Sequence, residues 1–161
     1  MNNNVCPCSS GLAFIECCEK YILGYETAPT ALALMRSRYS AYVVKNADYL
    51  VATTHESTRN LFSKDEILRW ASENQWQKLE IVSFEETIVE FKAFFRGSDA
   101  KAYIHHERST FEKVNGHWYY IDGLFLRHSS FFAKFRGYFL KQLSYVTLQP
   151  FTFCDCIVFG L

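Results

Sequence analysis

The order of apolar and polar positions divides the chain into a helical part followed by a part built from strands. Between residues 30 and 75 the apolar side chains recur every three or four positions, as on one face of an α-helix. Thr30 has the position of an N-cap for a first helix, and a second, short helix is predicted over Ala47 to Thr54. A third helix begins near Ser63, because Ser63-Lys64-Asp65-Glu66 has the Ser-x-x-Glu pattern of a capping box.

From Gln75 to Asp122 the apolar period shortens to two residues, which is the alternation of β-strands. The dipeptide Asn115-Gly116 is a strong signal for a tight hairpin turn. The pattern predicts four strands, over residues 76–84, 87–96, 100–114 and 117–122. Three helices followed by this meander predict an α+β fold, in which a curved antiparallel sheet wraps the helices and leaves a conical cavity.

The last segment, residues 124–161, differs in composition from the rest of the chain. It contains eight of the fifteen phenylalanines and four basic residues against one acidic residue. Four apolar residues recur there at intervals of four: Phe131, Phe135, Phe139 and Leu143. This spacing predicts an amphipathic helix over residues 128–146. Covering the core is its favoured role, ahead of a dimer surface or a helix lying on a membrane.

Composition and charge narrow the class of protein. The 161 residues fit one domain of ordinary size with a small appendage, and 49% hydrophobic with 21% charged residues is typical of a folded chain. Seventeen basic and seventeen acidic residues cancel, so no net charge draws the chain to nucleic acid or anionic lipid. No apolar run approaches the roughly 18 residues of a membrane span, and the N-terminus lacks the pattern of a secretory signal. We therefore expect a cytoplasmic protein with no nucleic-acid partner.

The stretch CPCSSGLAFIECC, residues 6–18, holds four of the six cysteines. In a reducing compartment clustered cysteines are more often metal ligands than disulfides, and the Cys-x-x-Cys spacing of a redox motif is absent. Four thiolates complete a tetrahedral zinc site and leave no position for a catalytic water. The sequence predicts one structural Zn²⁺ bound by Cys6, Cys8, Cys17 and Cys18. Redox or disulfide chemistry, and free cysteines with no joint role, are the alternatives.

The same stretch resembles the SEC-C motif, a short zinc-binding module of many small bacterial proteins. That motif reads Cys-x-Cys-Gly-Ser-Gly, followed after a few residues by Cys and then Cys or His. The four cysteines fall on its ligand positions, and Ser10 and Gly11 match. Ser9 replaces the first glycine, a departure that is expected to strain the turn but removes no ligand.

Four further blocks resemble, in order, the YchJ-like family of bacterial proteins. They are ALMRSRYSAYV at 33–43, DYLVATTH at 48–55, HERSTF at 106–111 and WYYIDG at 118–123. The resemblance implies a SEC-C module over residues 1–24, followed by a cone-shaped domain similar to nuclear transport factor 2 over residues 25–123. The Phe-rich extension, 124–161, lies outside it, and Cys154 and Cys156 are too few for a second metal site.

Polar residues of the predicted strands are candidates for chemistry inside the cone. His105 and Glu107 share one face of the third strand, and Asp122 is predicted on the face of Trp118 and Tyr120 in the next strand. A carboxylate beside histidine and tyrosine in an apolar cavity suits general acid–base catalysis. The same residues also form ordinary cross-strand pairs on an exposed face, and this interpretation is favoured. His105, Glu107 and Asp122 are therefore kept as candidates, and no catalytic residue is assigned.

Three other polar residues are interpreted as structural. Arg36 and Arg38 point about 200° apart on the first helix, so at most one of them faces a cavity. A salt bridge or a contact with the sheet is favoured for these arginines over a functional role. His55, at the end of the second helix, is interpreted as a hydrogen-bonding residue and not as a base.

The leading functional hypothesis is a zinc-binding accessory protein that is not an enzyme. The resemblance implies that the module docks a protein partner and that the cone serves as a scaffold or a small-ligand pocket. Near the module Lys20 stands against Glu16, Glu19 and Glu26, which weakens an interaction with nucleic acid. One alternative is an isomerase- or hydro-lyase-like enzyme acting on a small apolar molecule in the cone. Another is a structural protein that dimerises through the outer face of its sheet.

Overall fold

In the computed structural model, which describes residues 5–126, the three predicted helices and the four predicted strands are present in the predicted order. A π-helical turn, Ile15–Glu19, runs directly into the first short α-helix. The helices are α1 (Lys20–Ile22), α2 (Ala31–Val43), α3 (Ala47–Ala52), α4 (Glu56–Arg59) and α5 (Lys64–Glu73). The strands are β1 (Gln75–Phe84), β2 (Ile88–Arg96), β3 (Ala102–Val114) and β4 (His117–Phe125). The helix predicted over residues 128–146, Cys154 and Cys156 lie outside the described residues.

Side-chain caps fix where the longer helices begin. The hydroxyl of Thr30 accepts a hydrogen bond from the backbone N–H of Ala33 at 3.1 Å, and Ser63 caps α5 in the same way. α3 ends two residues before the predicted end at Thr54, because Thr54 forms a parallel bridge with Tyr120 and its backbone leaves the helix. The sequence pattern did not predict α4, which is a single turn.

The four strands form one antiparallel sheet in the order β1-β2-β3-β4. Asn115 and Gly116 both have left-handed backbones, with φ of 51° and 84°, so the predicted tight hairpin joins β3 to β4. β3 begins two residues after the predicted start at Ala100, because Ala100 lies in the preceding turn with φ of 61°. Irregular pairing in β1 near Gln77 and Val82 interrupts the register of the edge strand.

A bulge in β4 corrects the predicted position of Asp122. Phe111 pairs with Tyr120, but the preceding residue of β3, Thr110, pairs with Asp122, so Ile121 is the extra residue. The extra residue moves every later side chain of the strand to the opposite face. Asp122 therefore lies on the convex face and is exposed, instead of sharing the face of Tyr120. The strand also continues past the predicted end at Asp122, as far as Phe125.

The core lies between the concave face of the sheet and α2. Along β2 the predicted apolar face is buried: Val89, Phe91, Ala93 and Phe95. From α2 the largest buried apolar side chains are Leu34, Met35 and Tyr39. α5 covers the far end of the sheet, where the Trp70 ring meets the Phe95 ring edge-on at 5.4 Å. The fold is the predicted α+β fold with a curved sheet around helices.

The cysteine-rich stretch packs into this same core. Cys6, Cys8 and Cys18 are buried and belong to one apolar cluster with Leu34 and Met35 of α2. Burial of three cysteines ties the N-terminal stretch to the longest helix of the fold. Within residues 5–126 no helix has both the length and the apolar character needed to cross a membrane.

Candidate metal centre and polar cluster of the cone

A tight loop and a helical turn bring the two pairs of cysteines together. Val5 forms an antiparallel bridge with Ala13, and the N–H of Cys6 donates a 2.8 Å hydrogen bond to the carbonyl of Leu12. Gly11 has a left-handed φ of 82° inside this loop, a conformation that glycine adopts without strain. The second pair, Cys17 and Cys18, follows on the π-helical turn, so the four sulfurs converge on one point.

The sulfur positions fit a four-coordinate metal ion. The four Sγ atoms of Cys6, Cys8, Cys17 and Cys18 lie within 4.8 Å of one another, and two of the separations are 3.7 Å. A tetrahedral zinc ion with Zn–S bonds of about 2.3 Å places its ligands about 3.8 Å apart. The predicted ligand set is therefore assembled in a geometry that can hold a metal ion, and none of the four cysteines forms a disulfide.

The four thiols do not ionise independently. Hydrogen bonds with Cys18 and then Cys6 hold the pKa of the Cys8 thiol well below its usual range. Hydrogen bonds with Cys6 and Cys8, together with burial, raise the pKa of Cys18, and burial raises that of Cys17 to about 11. A divalent metal ion allows all four sulfurs to bind as thiolates.

Polar groups around the sulfurs come from both the loop and α2. Ser10 Oγ lies 3.3 Å from Cys17 Sγ, and Ser40 Oγ lies 3.6 Å from Cys6 Sγ. Arg36 donates to the Cys8 carbonyl at 2.9 Å and approaches the Cys8 sulfur at 3.9 Å. Donors and a positive charge next to thiolate ligands offset the negative charge of a four-thiolate site. Arg36 therefore contacts the loop over residues 5–13, which is called the metal loop below, and not the sheet.

Ser9 compensates for its strained backbone by a hydrogen bond. Its φ of 60° is left-handed, as expected at a position where the SEC-C motif has glycine. Its Oγ accepts a 3.2 Å hydrogen bond from the backbone N–H of Leu79 in β1. The departure from the motif therefore connects the loop to the sheet.

A polar cluster lies on the concave face of the sheet, around Glu107. The side chain of Glu107 is 5% exposed, and its carboxylate is 2.6 Å from His105 Nε2. Ser109 donates to the same carboxylate at 2.6 Å and Tyr120 at 3.2 Å. The prediction that His105 and Glu107 share a strand face is correct, but that face lines the cone, so the favoured interpretation of an exposed face is wrong.

Hydrogen bonding keeps this buried carboxyl ionised. Burial alone would raise the pKa of Glu107, but the hydrogen bond and positive charge of His105, with the donors of Ser109 and Tyr120, hold it below its ordinary value. Burial and the nearby Glu107 charge raise the pKa of Tyr120 well above its usual range, so this phenol remains a donor.

Arg38 and His55 have structural partners, as the sequence predicts. Arg38 is buried and donates to the Leu50 carbonyl at 2.8 Å and to the Thr53 hydroxyl at 2.7 Å, with its guanidinium 4.6 Å from the centre of the Tyr120 ring. It points into the cone while Arg36 points to the metal loop, in agreement with their predicted divergence. His55 caps α4, where its Nδ1 accepts from the backbone N–H of Ser57.

Comparison with known proteins identifies the family. The family model described as "YchJ, middle NTF2-like domain" matches residues 30–123, more than half of the chain. The chain belongs to the YchJ-like family. Among its relatives are UPF0225 proteins of Actinobacillus succinogenes, 42% identical over 73% of this chain and 80% of that protein, and of Yersinia pestis, 41% identical over 76% and 84%.

Two solved structures of SEC-C motif proteins extend the similarity to the N-terminal module of this YchJ-like chain. The solution structure of a SEC-C motif containing protein from Rhodopseudomonas palustris has a TM-score of 0.70 and 37% identity, covering 76% of this chain and 98% of that one. The crystal structure of one from Psychrobacter arcticus has a TM-score of 0.64 and 34% identity, covering 78% and 85%. The predicted combination of a SEC-C module with a cone-shaped domain is confirmed.

Two residues of this YchJ-like chain, one beside Glu107 and one beside the cysteines, were not predicted from the sequence. Gly123 lies in β4 opposite Ser109, and a Cβ there would collide with the carboxylate of Glu107. A lone glycine inside a strand is a signal for such a close approach. Ser40, which contacts the Cys6 sulfur, carries no signal in the sequence, because its position depends on how α2 packs against the loop.

Proposed function

We propose that the metal of this site is a structural Zn²⁺ ion. Four cysteine thiolates are the ligand set that favours zinc, and they leave no coordination position for a substrate or a catalytic water. The spacing of the sulfurs and the burial of Cys6, Cys8 and Cys18 support a closed site. Elemental analysis and native mass spectrometry of protein purified without chelator should give one zinc per chain, lost in Cys17→Ser. Another metal, or none, would contradict the proposal.

The metal module acts as the docking element of an accessory protein. The observation that supports this role is a concentration of exposed, large apolar side chains in the module and in the residue that directly follows it. They are Val5, Leu12, Ile15, Leu23 and Tyr25. A metal site that fixes the backbone can hold such side chains in solvent without a core of its own, and exposed apolar groups in close sequence are typical of interaction surfaces.

The charge of the module defines the chemistry of its partner. Glu16, Glu19 and Glu26 lie in the same stretch of chain as the docking side chains, and Lys20 is the only basic residue from Val5 to Glu26. An acidic surface with apolar side chains is complementary to a protein segment that combines apolar residues with Lys or Arg. We propose such a segment as the partner. The homodimer through the outer face of the sheet stays a prediction.

Site-specific photo-crosslinking in cells tests the docking role. The crosslinking residue p-benzoylphenylalanine is placed at Ile15 in the module or, as a control away from the module and the outer sheet face, at Leu68 on α5; these residues are 69% and 41% exposed. We expect crosslinks from position 15, mapped by mass spectrometry to apolar segments rich in Lys and Arg, and their loss in Cys17→Ser. Equal yields at both positions, or crosslinked segments without basic residues, would contradict the role.

The polar cluster of the cone supports a second candidate function, acid–base catalysis on a small apolar molecule. His105 is hydrogen-bonded through Nε2 to the buried carboxylate of Glu107, an arrangement that orients the imidazole. Proton abstraction next to a carbonyl group is the simplest reaction for such a pair. Asp122 takes no part in this candidate, because it lies on the convex face.

Exchange of the α-protons of cyclohexanone in D₂O, followed by NMR, tests this second function. The wild-type chain should accelerate the exchange, and His105→Gln and Glu107→Gln should abolish the acceleration. Asp122→Asn is the matched carboxylate control and should leave it unchanged. Exchange at the background rate in the wild type, or equal rates in all variants, would remove this candidate.

A further inference from the structure

A cleft distinct from both the metal centre and the cone opens where the module meets the domain. Its volume is about 430 Å³, and it is open to solvent. α1 and the turn after it form one wall, α3 forms another, and the β3–β4 hairpin forms the third. A cleft of this size accepts a side chain or a small ligand.

The lining of the cleft is aromatic and acidic. Four aromatic side chains contribute to it: Tyr21, Tyr49, Trp118 and Tyr119. Glu26 and Asp48 also line the cleft, together with His117, and no lysine or arginine of the described residues does. Aromatic faces next to carboxylates are the surroundings in which proteins bind ammonium and guanidinium groups.

Two lysines of the protein already lie against aromatic side chains of the cleft. The ammonium group of Lys20 is 2.9 Å from the carboxylate of Glu26 and 5.2 Å from the centre of the Tyr21 ring. Lys113 lies 5.8 Å from the centre of the Trp118 ring. Cations are thus held against two of the four aromatic side chains that line the cleft.

An incoming cation can replace these lysines at little cost. Asp48 pairs with Lys64 at 2.6 Å, but both side chains are more than half exposed, and the Lys20–Glu26 pair is also in contact with solvent. Ion pairs at such surfaces contribute about 0–1 kcal/mol.

We propose that the cleft binds a lysine or arginine side chain of the protein segment that docks on the module. This inference rests on the proposed docking function and names the place where the partner's basic residue binds. Leu23, which is exposed and lines the cleft, is positioned to contact apolar neighbours of that residue. Tyr21 and Glu26 follow closely after the ligands Cys17 and Cys18 along the chain, so binding in the cleft depends on the bound metal.

Titration of the ¹⁵N-labelled, metal-loaded full chain with a short peptide tests the proposal. The probe is acetyl-Gly-Leu-Lys-Leu-Gly-amide, and the matched control replaces lysine by norleucine, which keeps the alkyl chain and removes the charge. The reporter is the indole N–H signal of Trp118, which lines the cleft and is held in place by its 3.1 Å hydrogen bond to the Pro29 carbonyl. We expect a saturable shift of this signal with a Kd of about 1 mM for the lysine peptide and at least about tenfold weaker binding of the control.

Substitutions inside and outside the cleft lining test whether the lysine peptide binds in the cleft. Glu26→Gln combined with Asp48→Asn should weaken the lysine peptide about fivefold or more, with the NMR spectrum showing that the chain stays folded. Glu85→Gln combined with Glu86→Gln removes the same charge outside the cleft lining and should have no effect. As a second measurement, raising NaCl from about 50 mM to about 500 mM should weaken the lysine peptide and leave the norleucine peptide unchanged.

The peptide titration and the crosslinking experiment can fail independently, so they test the cleft proposal and the docking function separately. Equal binding of the two peptides, no effect of the Glu26 and Asp48 substitutions, or shifts confined to other surfaces would overturn the cleft proposal even if crosslinks form at Ile15. Binding of the lysine peptide with no crosslink at Ile15 would support the cleft as a cation site and overturn the docking function alone.

Discussion

At the scale of single residues, Ser9 balances a strained backbone against a hydrogen bond. Its left-handed φ of 60° costs a residue other than glycine about 1 kcal/mol or more, while its Oγ accepts from the buried N–H of Leu79. Ser9→Ala keeps the strain and loses the bond, so we expect a loss of about 1–2 kcal/mol in the free energy of unfolding. Ser9→Gly loses the bond but also relieves the strain, and should be close to neutral. Urea unfolding of the metal-loaded proteins measures both.

The order of the two variants decides this prediction. If Ser9→Ala were as stable as the wild type, the hydrogen bond to Leu79 would contribute nothing. If Ser9→Ala were as stable as Ser9→Gly, the left-handed backbone at this position would carry no strain. Ser98→Ala, in the exposed turn between β2 and β3, is the control for the loss of a serine hydroxyl as such.

Gly123 is needed because the carboxylate of Glu107 lies where its side chain would be. A Cβ at this position would collide with the Glu107 side chain, so Gly123→Ala must displace a buried, hydrogen-bonded charge or the strand. We expect a loss of about 1–3 kcal/mol, as for other overpacked sites, measured by urea unfolding.

A double-mutant cycle attributes this loss to the collision. In a Glu107→Ala background the added methyl group meets no carboxylate, so the cost of Gly123→Ala should fall by at least half. An unchanged cost in that background would show that strand geometry, and not Glu107, requires the glycine. Leu124→Ala, on the exposed face of the same strand, controls for substitution in β4.

At the scale of elements, the concave face of β3 carries the buried carboxylate of Glu107, and this makes the free energy of unfolding depend on pH. The pKa of Glu107 is below its ordinary value of 4.5 in the folded chain. A carboxyl with a lowered folded-state pKa stabilises the fold fully above its unfolded value, and this contribution is lost as the pH falls through the folded-state pKa. Stability should therefore fall with decreasing pH below about 4.5, and Glu107→Gln should remove that part of the dependence.

Acid also protonates thiolate ligands and weakens metal binding. The quantity to measure is therefore the difference in unfolding free energy between the wild type and Glu107→Gln. Urea unfolding of the wild type and of Glu107→Gln from about pH 7 to about pH 3 gives a difference in unfolding free energy from which the metal contribution cancels. That difference should shrink as the pH falls. A constant difference would mean that Glu107 is not ionised in the fold. Glu86→Gln, in an exposed turn, should show no such trend.

At the scale of the whole molecule, the metal site and the cone share one core. Cys6, Cys8 and Cys18 are buried with Leu34 and Met35, and Arg36 of α2 holds the metal loop. Chelation should therefore destabilise α2 and the sheet as well as the module. A metal that binds only the folded state stabilises it by about 4 kcal/mol at a thousandfold excess over its Kd. We expect a single unfolding transition that moves to lower urea by this order when the metal is removed.

Hydrogen exchange locates the effect within the fold. Amide protons of α2 should exchange faster after chelation, together with those of the loop around Cys8. If only the loop lost protection, and the urea transition of the sheet stayed in place, the module would be an independent unit. Cys17→Ser should reproduce the effect of the chelator.

Much of the fold could be predicted because local patterns and tertiary packing agree. The caps at Thr30 and Ser63, the Asn115-Gly116 turn and the alternation along β2 act over a few residues, and each has the predicted structure. The prediction failed at Asp122, where one extra residue in β4 reverses the strand face. Simple alternation carries no information about where a bulge interrupts it.

Periodicity and the spacing of cysteines are properties of the chain, so they predicted the order of the longer helices and the strands, the cluster of four cysteines that could hold a metal ion, and the family. Tertiary structure alone decided which face of β3 lines the cone, that Arg36 and Ser40 surround the sulfurs, and that a cleft forms beside Trp118. Each of these depends on contacts between residues far apart in sequence. Burial turns the polar residues of β3 into a hydrogen-bonded cluster around an ionised carboxylate, and only the packing of the sheet on α2 provides that burial.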